Sequence, residues 1–254
     1  MSSPTSVDGN TILVTGGSGG IGAAACLALG AAGARIVVHA NSNLARAQEV
    51  AAKIVEGGGE AISVAADVRD PNGVAHLFEV TAEFVGSGPL DALVNVAGTY
   101  EPKMFVDISV EDWDDMLATN LRAPFLCSQA ALPLLLRGEH PRIVNVSSGT
   151  ADLGTPGMSH YVAAKAGLSG FTRVLARELG ADGVRVNCLV PSLVDTETAD
   201  QYFSAFWDAT IAAQAVPRKQ QPEDLTDAFM FLCSPASEWV TGQTIHVDGG
   251  LVMK

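Results

Sequence analysis

The 254-residue sequence predicts a doubly wound α/β fold: one domain with a seven-stranded parallel sheet flanked by helices on both faces. Short β-branched runs alternate along the chain with longer segments of helical character, which is the pattern of repeated βαβ units. The β-branched runs are apolar almost throughout, as expected for strands that are covered on both faces. Right-handed crossovers between such strands place ligand-binding sites at the carboxyl ends of the strands.

The first three predicted strands alternate with three helices. We place the strands at 11–15 (TILVT), 35–39 (RIVVH) and 61–65 (AISVA), and the helices at 21–31, 44–56 and 71–85. Three consecutive glycines end the second helix, and the dipeptide Asp70-Pro71 starts the third.

Four further strands complete the predicted sheet. They lie at 91–95 (DALVN), 142–147 (RIVNVS), 184–189 (VRVNCL) and 244–247 (TIHV), with helices at 110–137, 158–180 and 223–233. Acidic residues cluster at the start of the 110–137 helix: Asp107, Glu111, Asp112, Asp114 and Asp115. The simplest interpretation is a solvated first turn, with Ser109 and Asp112 forming a helix cap.

Composition and charge exclude several classes of function. Hydrophobic residues make up 48% of the chain and charged residues 17%, which is typical of a packed domain and not of a disordered chain. The net charge of −13 opposes binding to nucleic acid or to an anionic membrane, and no apolar run is long enough to span a bilayer. We interpret residues 1–10 as a polar N-terminal tail and 11–254 as the single domain.

The cysteines and histidines give no sign of a metal site. The four cysteines are scattered, without a C-x-x-C pair, and are expected to be buried reduced thiols that suit the cytoplasm. The histidines show no ligand spacing either, so no metal is predicted. His160 adjoins a tyrosine, but adjacent helical residues point about 100° apart, so we expect it to face the substrate entrance or solvent.

A glycine-rich segment, TGGSGGIG at 15–22, follows the first strand directly. Glycines let the backbone turn sharply and approach a pyrophosphate, and the next helix offers free N–H groups at its N-terminus. Glycine-rich turns are common, but this position between the first strand and first helix of a βαβ unit indicates a dinucleotide site. The candidate residues here are Thr15, Gly16, Ser18, Gly20, Ile21 and Gly22.

The end of the second strand, VVHANSN, bears on the choice of cofactor. A carboxylate usually stands here and binds the adenosine ribose, but this chain has Asn41 and Ser42. The missing acid removes the charge that would reject a 2′-phosphate, which slightly favours NADP over NAD. Against this, Ser18 stands in the glycine loop where a basic residue would be expected, and Arg46 contributes only if the loop bends toward it.

Five motifs in chain order give the chain a resemblance to the short-chain dehydrogenase/reductase family, in its compact form of about one Rossmann domain. They are TGGSGGIG, NVAG at 95–98, Asn120 in ATNLRAPF, Ser148 in VNVSSGT, and YVAAK at 161–165. The resemblance runs from Thr11 to the closing GQTIHVDGG. It implies an NAD(P)-dependent alcohol dehydrogenase or ketoreductase.

The resemblance assigns catalytic roles to four residues. Tyr161 would be the general acid/base at the substrate oxygen, Ser148 would polarise that oxygen, and Asn120 would position Lys165. Lys165 would bind the nicotinamide ribose and stabilise the phenolate. Lowering the pKa of a free phenol from about 10 to about 7 takes roughly 4 kcal/mol of differential interaction. Without the other motifs, a Tyr and a Lys four residues apart would indicate only a surface helix.

The resemblance also implies further cofactor contacts. Asp67 and Val68 would meet the adenine ring, and Asn95, Ala97 and Gly98 would line the adenine-ribose side. Pro191, Val194 and Thr196 would hold the nicotinamide carboxamide. Tyr161 and Lys165 would contact the nicotinamide ribose. The chain departs from the family pattern at Val96, where an asparagine is commoner, and at Ser192, where a glycine is usual.

The segment from about 192 to 217 occupies the place of a substrate lid in the family. Tyr202, Phe203, Phe206 and Trp207 concentrate there in a chain with only 6% aromatic residues. They either pack a short helix onto the body or line a hydrophobic pocket that accepts aryl or cyclic substrates.

Two other functions remain open at this stage. One is 3-oxoacyl-acyl-carrier-protein reductase, which docks an acidic carrier on basic residues; Arg137 is compatible with it, whereas Asp182 and the net charge are not. The other is a non-catalytic nucleotide-sensing protein, against which the intact Ser148, Tyr161 and Lys165 set argues. By the same resemblance a homotetramer is expected, or a homodimer, paired through the 110–137 and 158–180 helices.

Overall fold

The computed structural model describes residues 5–253 and contains a seven-stranded sheet whose strands are all parallel. The strands are β1 (Thr11–Thr15), β2 (Arg35–Ala40), β3 (Glu60–Ala65), β4 (Ala92–Asn95), β5 (Arg142–Val146), β6 (Arg185–Pro191) and β7 (Thr244–Val247). Their order across the sheet is β3-β2-β1-β4-β5-β6-β7, which confirms the predicted fold. Because the order reverses between β1 and β4, a crevice opens at the carboxyl ends of these strands.

Ten α-helices connect the described strands. They are α1 (Gly20–Ala31), α2 (Leu44–Glu56), α3 (Pro71–Val85), α4 (Val110–Leu117), α5 (Ala123–Leu135), α6 (Thr150–Leu153), α7 (Ser159–Glu178), α8 (Glu197–Phe203), α9 (Trp207–Ala213) and α10 (Thr226–Leu232). Capping residues in the sequence determine where several of these helices begin. The side chains of Asn43 and Asp70 cap α2 and α3, and the predicted Ser109–Asp112 capping box at α4 is confirmed.

The predicted helix at 110–137 is present but irregular, because a π-helical turn, Ala118–Arg122, separates α4 from α5. The side-chain amide of Asn120 donates to the Met116 carbonyl oxygen at 3.1 Å. That oxygen is the one that the Asn120 backbone N–H would meet in a regular α-helix. Single π turns of this kind occur often at functional sites.

Two apolar clusters, one on each side of the sheet, form the core. The four cysteines are buried and form no disulfide, as expected from their spacing. Residues 1–4 of the predicted tail and residue 254 lie outside the described residues, and Val7 is fully buried in the core. In residues 5–253, no helix has the length and apolar character needed to cross a membrane.

Candidate active site

A cavity of about 1010 Å³ lies at the carboxyl ends of the central strands, between the glycine loop and the segment α8–α9. Most of the residues selected from the sequence line it: Gly16, Ser18, Gly20, Ile21, Asn41, Asp67, Val68, Ala97, Gly98, Asn120, Ser148, Tyr161, Lys165, Pro191, Val194 and Thr196. The fold therefore brings the predicted phosphate end and the predicted catalytic group into one cleft.

The glycine loop has the close packing that a nucleotide-binding turn needs. Gly16 has a φ of +68°, and a Cβ there would lie 2.9 Å from the backbone of Ala97. A Cβ on Gly22 would lie 2.1 Å from the Gly16 carbonyl oxygen, so only glycine lets α1 start this close to the loop. Around Gly19 no atom would come within 4 Å of an added Cβ, so the loop is open there. This cradle fits the pyrophosphate of a dinucleotide.

Four of the residues selected from the sequence do not line the cavity: Thr15, Gly22, Ser42 and Asn95. Thr15 accepts the backbone N–H groups of Val96 and Ala97 at 3.1 and 3.2 Å, so it fixes the loop after β4. Gly22 serves packing, as described above, and Ser42 is exposed to solvent.

Asn95 was expected on the adenine-ribose side and instead points into the protein. Its side-chain amide donates to Asn145 Oδ1 at 2.9 Å, directly across the β4–β5 pair. Asn145 in turn donates to Thr172 Oγ1 of α7 at 2.9 Å. These buried hydrogen bonds connect β4 and β5 to α7, the helix that carries Tyr161. Asn95 therefore stabilises the site without lining the cavity.

His39 supports the glycine loop, a role that sequence reasoning missed. Its Nδ1 accepts the Gly16 N–H at 3.1 Å, and its Nε2 lies 2.9 Å from the Ala66 carbonyl oxygen. These partners require a neutral ring with the proton on Nε2. Burial lowers the pKa of His39, which keeps the ring in that neutral form.

The adenosine end of the cavity contains two arginines. Arg69 binds Asp67 through its guanidinium at 2.7 Å, and this hydrogen bond lowers the pKa of the Asp67 carboxyl. Arg46 lies on the first turn of α2 and forms an ion pair with Glu197 of α8 at 2.8 Å. Arg46 and Glu197 both line the cavity.

Three of the four predicted catalytic residues come from two neighbouring elements. Tyr161 and Lys165 lie one turn apart on α7 and are both buried, and Ser148 follows β5. Lys165 Nζ donates to the Val146 carbonyl oxygen at 2.8 Å and lies 5.6 Å from the centre of the Tyr161 ring. Ser148 Oγ lies 2.9 Å from Thr150 Oγ1.

The ionisation of this group differs from the expectation that Lys165 makes the phenol acidic. Burial raises the pKa of Tyr161, with a hydrogen bond to Ser148 acting in the opposite direction. Burial lowers the pKa of Lys165 to about 8. In both cases loss of hydration disfavours the charged form. The phenol is therefore held protonated at neutral pH, as a proton donor must be.

Asn120 lies at the π turn, in contact with the same site. Its Nδ2 donates to the Thr99 carbonyl oxygen at 3.0 Å, while its buried Oδ1 has no hydrogen-bond partner among residues 5–253. A Cβ on Gly98 would lie 2.8 Å from that Oδ1 and 3.5 Å from Lys165 Nζ. Gly98 thus leaves a shared space beside Asn120 and Lys165, which fits the positioning role expected of Asn120.

Aromatic rings cover the other side of Tyr161. The ring centre of Tyr100, a residue not selected from the sequence, lies 6.1 Å from that of Tyr161 and 5.7 Å from that of Phe203. Phe203 and Phe206 line the cavity from α8 and the turn that follows it. Trp207 does not: its Nε1 donates to Asp200 at 3.0 Å, and the Lys219 ammonium lies over its ring.

The predicted orientation of His160 is wrong. The side chain is buried and lines no part of the cavity, because it packs near the Lys103–Asp112 contact. Burial lowers its pKa.

Ser192, one of the departures from the family pattern, fastens the lid segment. Its Oγ donates to Gln214 Oε1 at 2.6 Å, just beyond α9, and its N–H donates to Gln220 Oε1 at 2.8 Å. A glycine would lack the first of these bonds. The sequence shows the serine but not its partner, which lies 22 residues further on.

Comparisons with known proteins agree with this geometry. Residues 16–252 match a family model described as enoyl-(acyl carrier protein) reductase. The chain is 38% identical over 252 residues to a 3-oxoacyl-[acyl-carrier-protein] reductase of Synechocystis sp., covering 98% of this chain and 99% of the relative. It is 39% identical over 260 residues to the short-chain dehydrogenase/reductase FrzI of Cladobotryum sp., covering 99% of each.

A solved structure extends the comparison to three dimensions. The angucycline C-6 ketoreductase LanV, solved with bound NADP, matches with a TM-score of 0.91 at 32% sequence identity. The match covers 97% of this chain and 96% of LanV.

Proposed function

The chain belongs to the short-chain dehydrogenase/reductase family, and from this premise we propose that it interconverts a ketone and a secondary alcohol on a small hydrophobic, ring-bearing substrate, with NADP(H) favoured over NAD(H). One observation carries the proposal. Tyr161 lies where the nucleotide half of the cavity meets the aromatic half, with Ser148 and Lys165 beside it.

In the direction of reduction, each of the three residues has its own role. The carbonyl oxygen would lie between Ser148 and Tyr161; Ser148 donates a hydrogen bond to it, and Tyr161 donates the proton. The nicotinamide, when bound, supplies the hydride. As Tyr161 loses its proton, the ammonium of Lys165 stabilises the negative charge that develops on the phenol oxygen. Oxidation of the alcohol reverses these transfers.

The substrate half of the cavity supports a neutral, apolar substrate. Its described lining includes Tyr100, Leu153, Met158, Phe203 and Phe206, together with prolines, threonines and alanines. The cationic residues that line the cavity, Arg46, Arg69 and Lys165, lie at the adenosine end or beside Tyr161. Apolar walls and clustered rings favour a substrate that carries an aromatic or alicyclic ring.

The preference for NADP is supported by the adenosine end. β2 ends at Ala40 and is followed by Asn41, so the end of this strand carries no carboxylate that would oppose a 2′-phosphate. Arg46 lies at the cavity wall and its guanidinium can pair with a phosphate. NADP is also the cofactor bound to the similar ketoreductase LanV.

A second candidate is 3-oxoacyl-acyl-carrier-protein reductase, because the Synechocystis relative carries that name. Charge argues against it. The chain has a net charge of −13, and Asp182 follows the end of α7. Arg137, the basic residue compatible with carrier docking, donates to the carbonyl oxygens of Gly86 and Gly88.

We also propose that the protein is a homotetramer and is located in the cytoplasm. The rings of Phe125 on α5 and Phe171 on α7 meet at 6.2 Å, and Phe125 and Val174 are exposed. This apolar surface would pair with its copy across a two-fold axis. Buried, unpaired cysteines suit a reducing compartment.

A substrate panel tests the function. Aryl, cyclic and short aliphatic ketones, and a 3-oxoacyl-acyl-carrier protein, would each be assayed for reduction with NADPH and with NADH. We expect aryl and cyclic ketones to be reduced, faster with NADPH. Turnover of the carrier-linked substrate alone would favour the second candidate, and no turnover of any substrate would favour a nucleotide sensor.

A further inference from the structure

His246 lies between two carboxylates, outside the catalytic group. Its Nε2 lies 3.4 Å from Asp152 Oδ2, and its Nδ1 lies 3.2 Å from Asp248 Oδ2. The side chains of His246, Asp152 and Asp248 are 16%, 21% and 3% exposed, so water competes little for these contacts. None of the three residues lines the active-site cavity.

Each carboxylate belongs to a segment that borders the active site. Asp248 accepts the backbone N–H groups of Gly250 and Val252, both at 3.0 Å, and so fixes the C-terminal segment that places Leu251 in the cavity wall. Asp152 lies on α6, which begins two residues after Ser148.

The two segments meet at Gly149, next to Ser148. A Cβ on Gly149 would lie 3.7 Å from Val252 Cγ2 and 3.9 Å from Leu251 Cδ2. The Gly149 N–H donates to the Pro191 carbonyl oxygen at 3.2 Å. Ser148 itself is held by Thr150, whose N–H donates to Ser148 Oγ at 3.3 Å. A shift of α6 would therefore move the Ser148 hydroxyl.

The chemistry of the imidazole decides whether His246 joins these segments. An imidazolium carries an N–H on each nitrogen and can donate to both carboxylates at once. A neutral ring has one N–H, so its other nitrogen would turn a lone pair toward a carboxylate oxygen. Asp152 on α6 and Asp248 after β7 are the carboxylates within 4.0 Å of the ring in the described chain.

We propose that His246, in its imidazolium form, is a positioning residue that holds α6 against the C-terminal segment and thereby sets the place of Ser148. The inference rests on the proposed function, because it assigns Ser148 the substrate oxygen. Histidine changes charge within the physiological pH range. Only the charged ring can donate to both carboxylates, so substrate reduction should lose this support as pH rises.

The test compares His246→Gln with the wild-type protein from about pH 5.5 to 8.5, the range in which a histidine titrates. The ratio of the two kcat/KM values for a ketone removes every titration that both proteins share. We expect the variant to be about fivefold less active at pH 6 and equal to wild type at the top of the range. His140→Gln is the matched control, because His140 pairs with Glu238 at 3.3 Å at the opposite end of the sheet; its ratio should stay at one.

Two further measurements test the role of His246 independently. Asp152→Asn, which removes the other half of the contact, should give the same pH-dependent loss, and it replaces His246→Gln if that variant does not fold. Hydrogen–deuterium exchange at pH 6, corrected for intrinsic rates, should be faster in the variant at both 149–153 and 249–253. A pH-independent ratio with unchanged exchange at 149–153 overturns the inference. If the wild type reduces no ketone, the proposed function fails, and the exchange data alone decide whether His246 joins the two segments.

Discussion

The ammonium nitrogen of Lys165 lies 5.6 Å from the centre of the Tyr161 ring, and both side chains are buried. Burial lowers the pKa of Lys165 to about 8 and raises that of Tyr161. Near neutral pH the pair is therefore a protonated phenol beside an ammonium. This is the state required to donate a proton and then to stabilise the phenolate that remains.

The first prediction concerns the pH dependence of reduction. The Lys165 charge is present below its pKa of about 8 and is lost above it, whereas the raised pKa of Tyr161 keeps the phenol protonated over the same range. We expect kcat for ketone reduction to fall as pH rises through about 8. In Lys165→Arg the guanidinium stays charged, so kcat should be lower but should not fall near pH 8. An identical fall in both proteins would contradict the assignment.

The second prediction concerns the choice of cofactor. Arg46→Ala should weaken NADPH binding about tenfold and leave NADH binding unchanged, because only NADPH carries the 2′-phosphate. Glu197→Gln removes the present partner of Arg46, at 2.8 Å, and should strengthen NADPH binding. Titration by cofactor fluorescence measures both. Equal effects on the two cofactors would show that Arg46 does not read the phosphate.

The third prediction concerns substrate class. Tyr100 lies between Tyr161 and Phe203, with ring centres 6.1 and 5.7 Å away. Tyr100→Leu should lower kcat/KM for an aryl ketone about tenfold relative to a short aliphatic ketone, because a ring contact is lost. Tyr100→Phe keeps the ring and should retain the preference. If Tyr100→Leu slows both ketones equally, the ring does not select the substrate.

The fold followed from features that act locally. The apolar strands, the glycines after β1 and the Ser109–Asp112 cap each depend on a few neighbouring residues, and the structure contains all of them. The doubly wound architecture followed from the handedness of βαβ crossovers.

Side-chain orientation at the strand ends did not follow from the sequence. Asn95 turns inward because Asn145 lies opposite it in the β4–β5 pair, and His39 meets Gly16 across the β2–β1 pair. At the π turn, the Asn120 amide donates to the Thr99 carbonyl oxygen, 21 residues away. Such partners are far apart in the chain, so no local pattern indicates them. The pKa of Tyr161 likewise depends on burial, which the spacing of Tyr161 and Lys165 does not show.

The fourth prediction concerns stability at the opposite end of the sheet. Arg142 is fully buried and donates to Glu238 at 2.8 Å, and Arg185 binds the same carboxylate at 2.8 Å. Glu238→Gln would leave the Arg142 charge uncompensated. We expect the free energy of unfolding to fall by about 2 kcal/mol, less than for a fully buried pair because Glu238 is partly exposed.

Acidification should weaken the stabilisation that the Arg142–Glu238 pair provides. Burial acts to raise the pKa of Glu238, but the hydrogen bond and charge of Arg142 outweigh it, so the pKa is lowered from 4.5. The stabilisation is therefore complete above pH 4.5 and is lost as pH falls through the lowered value. Urea unfolding at several pH values measures it. Glu60→Gln, which breaks the more exposed Arg35–Glu60 pair, is the control and should cost at most about 1 kcal/mol. Equal losses in the two variants would contradict the role of burial.

The central claim is that the Tyr161 phenol passes the proton to the substrate oxygen, and Tyr161→Phe tests it most directly. The substitution removes one oxygen and leaves the packed ring, so NADPH affinity should stay within about twofold while kcat for ketone reduction falls about a thousandfold. Turnover that persists above about a tenth of the wild-type rate, with NADPH affinity intact, would show that another group supplies the proton.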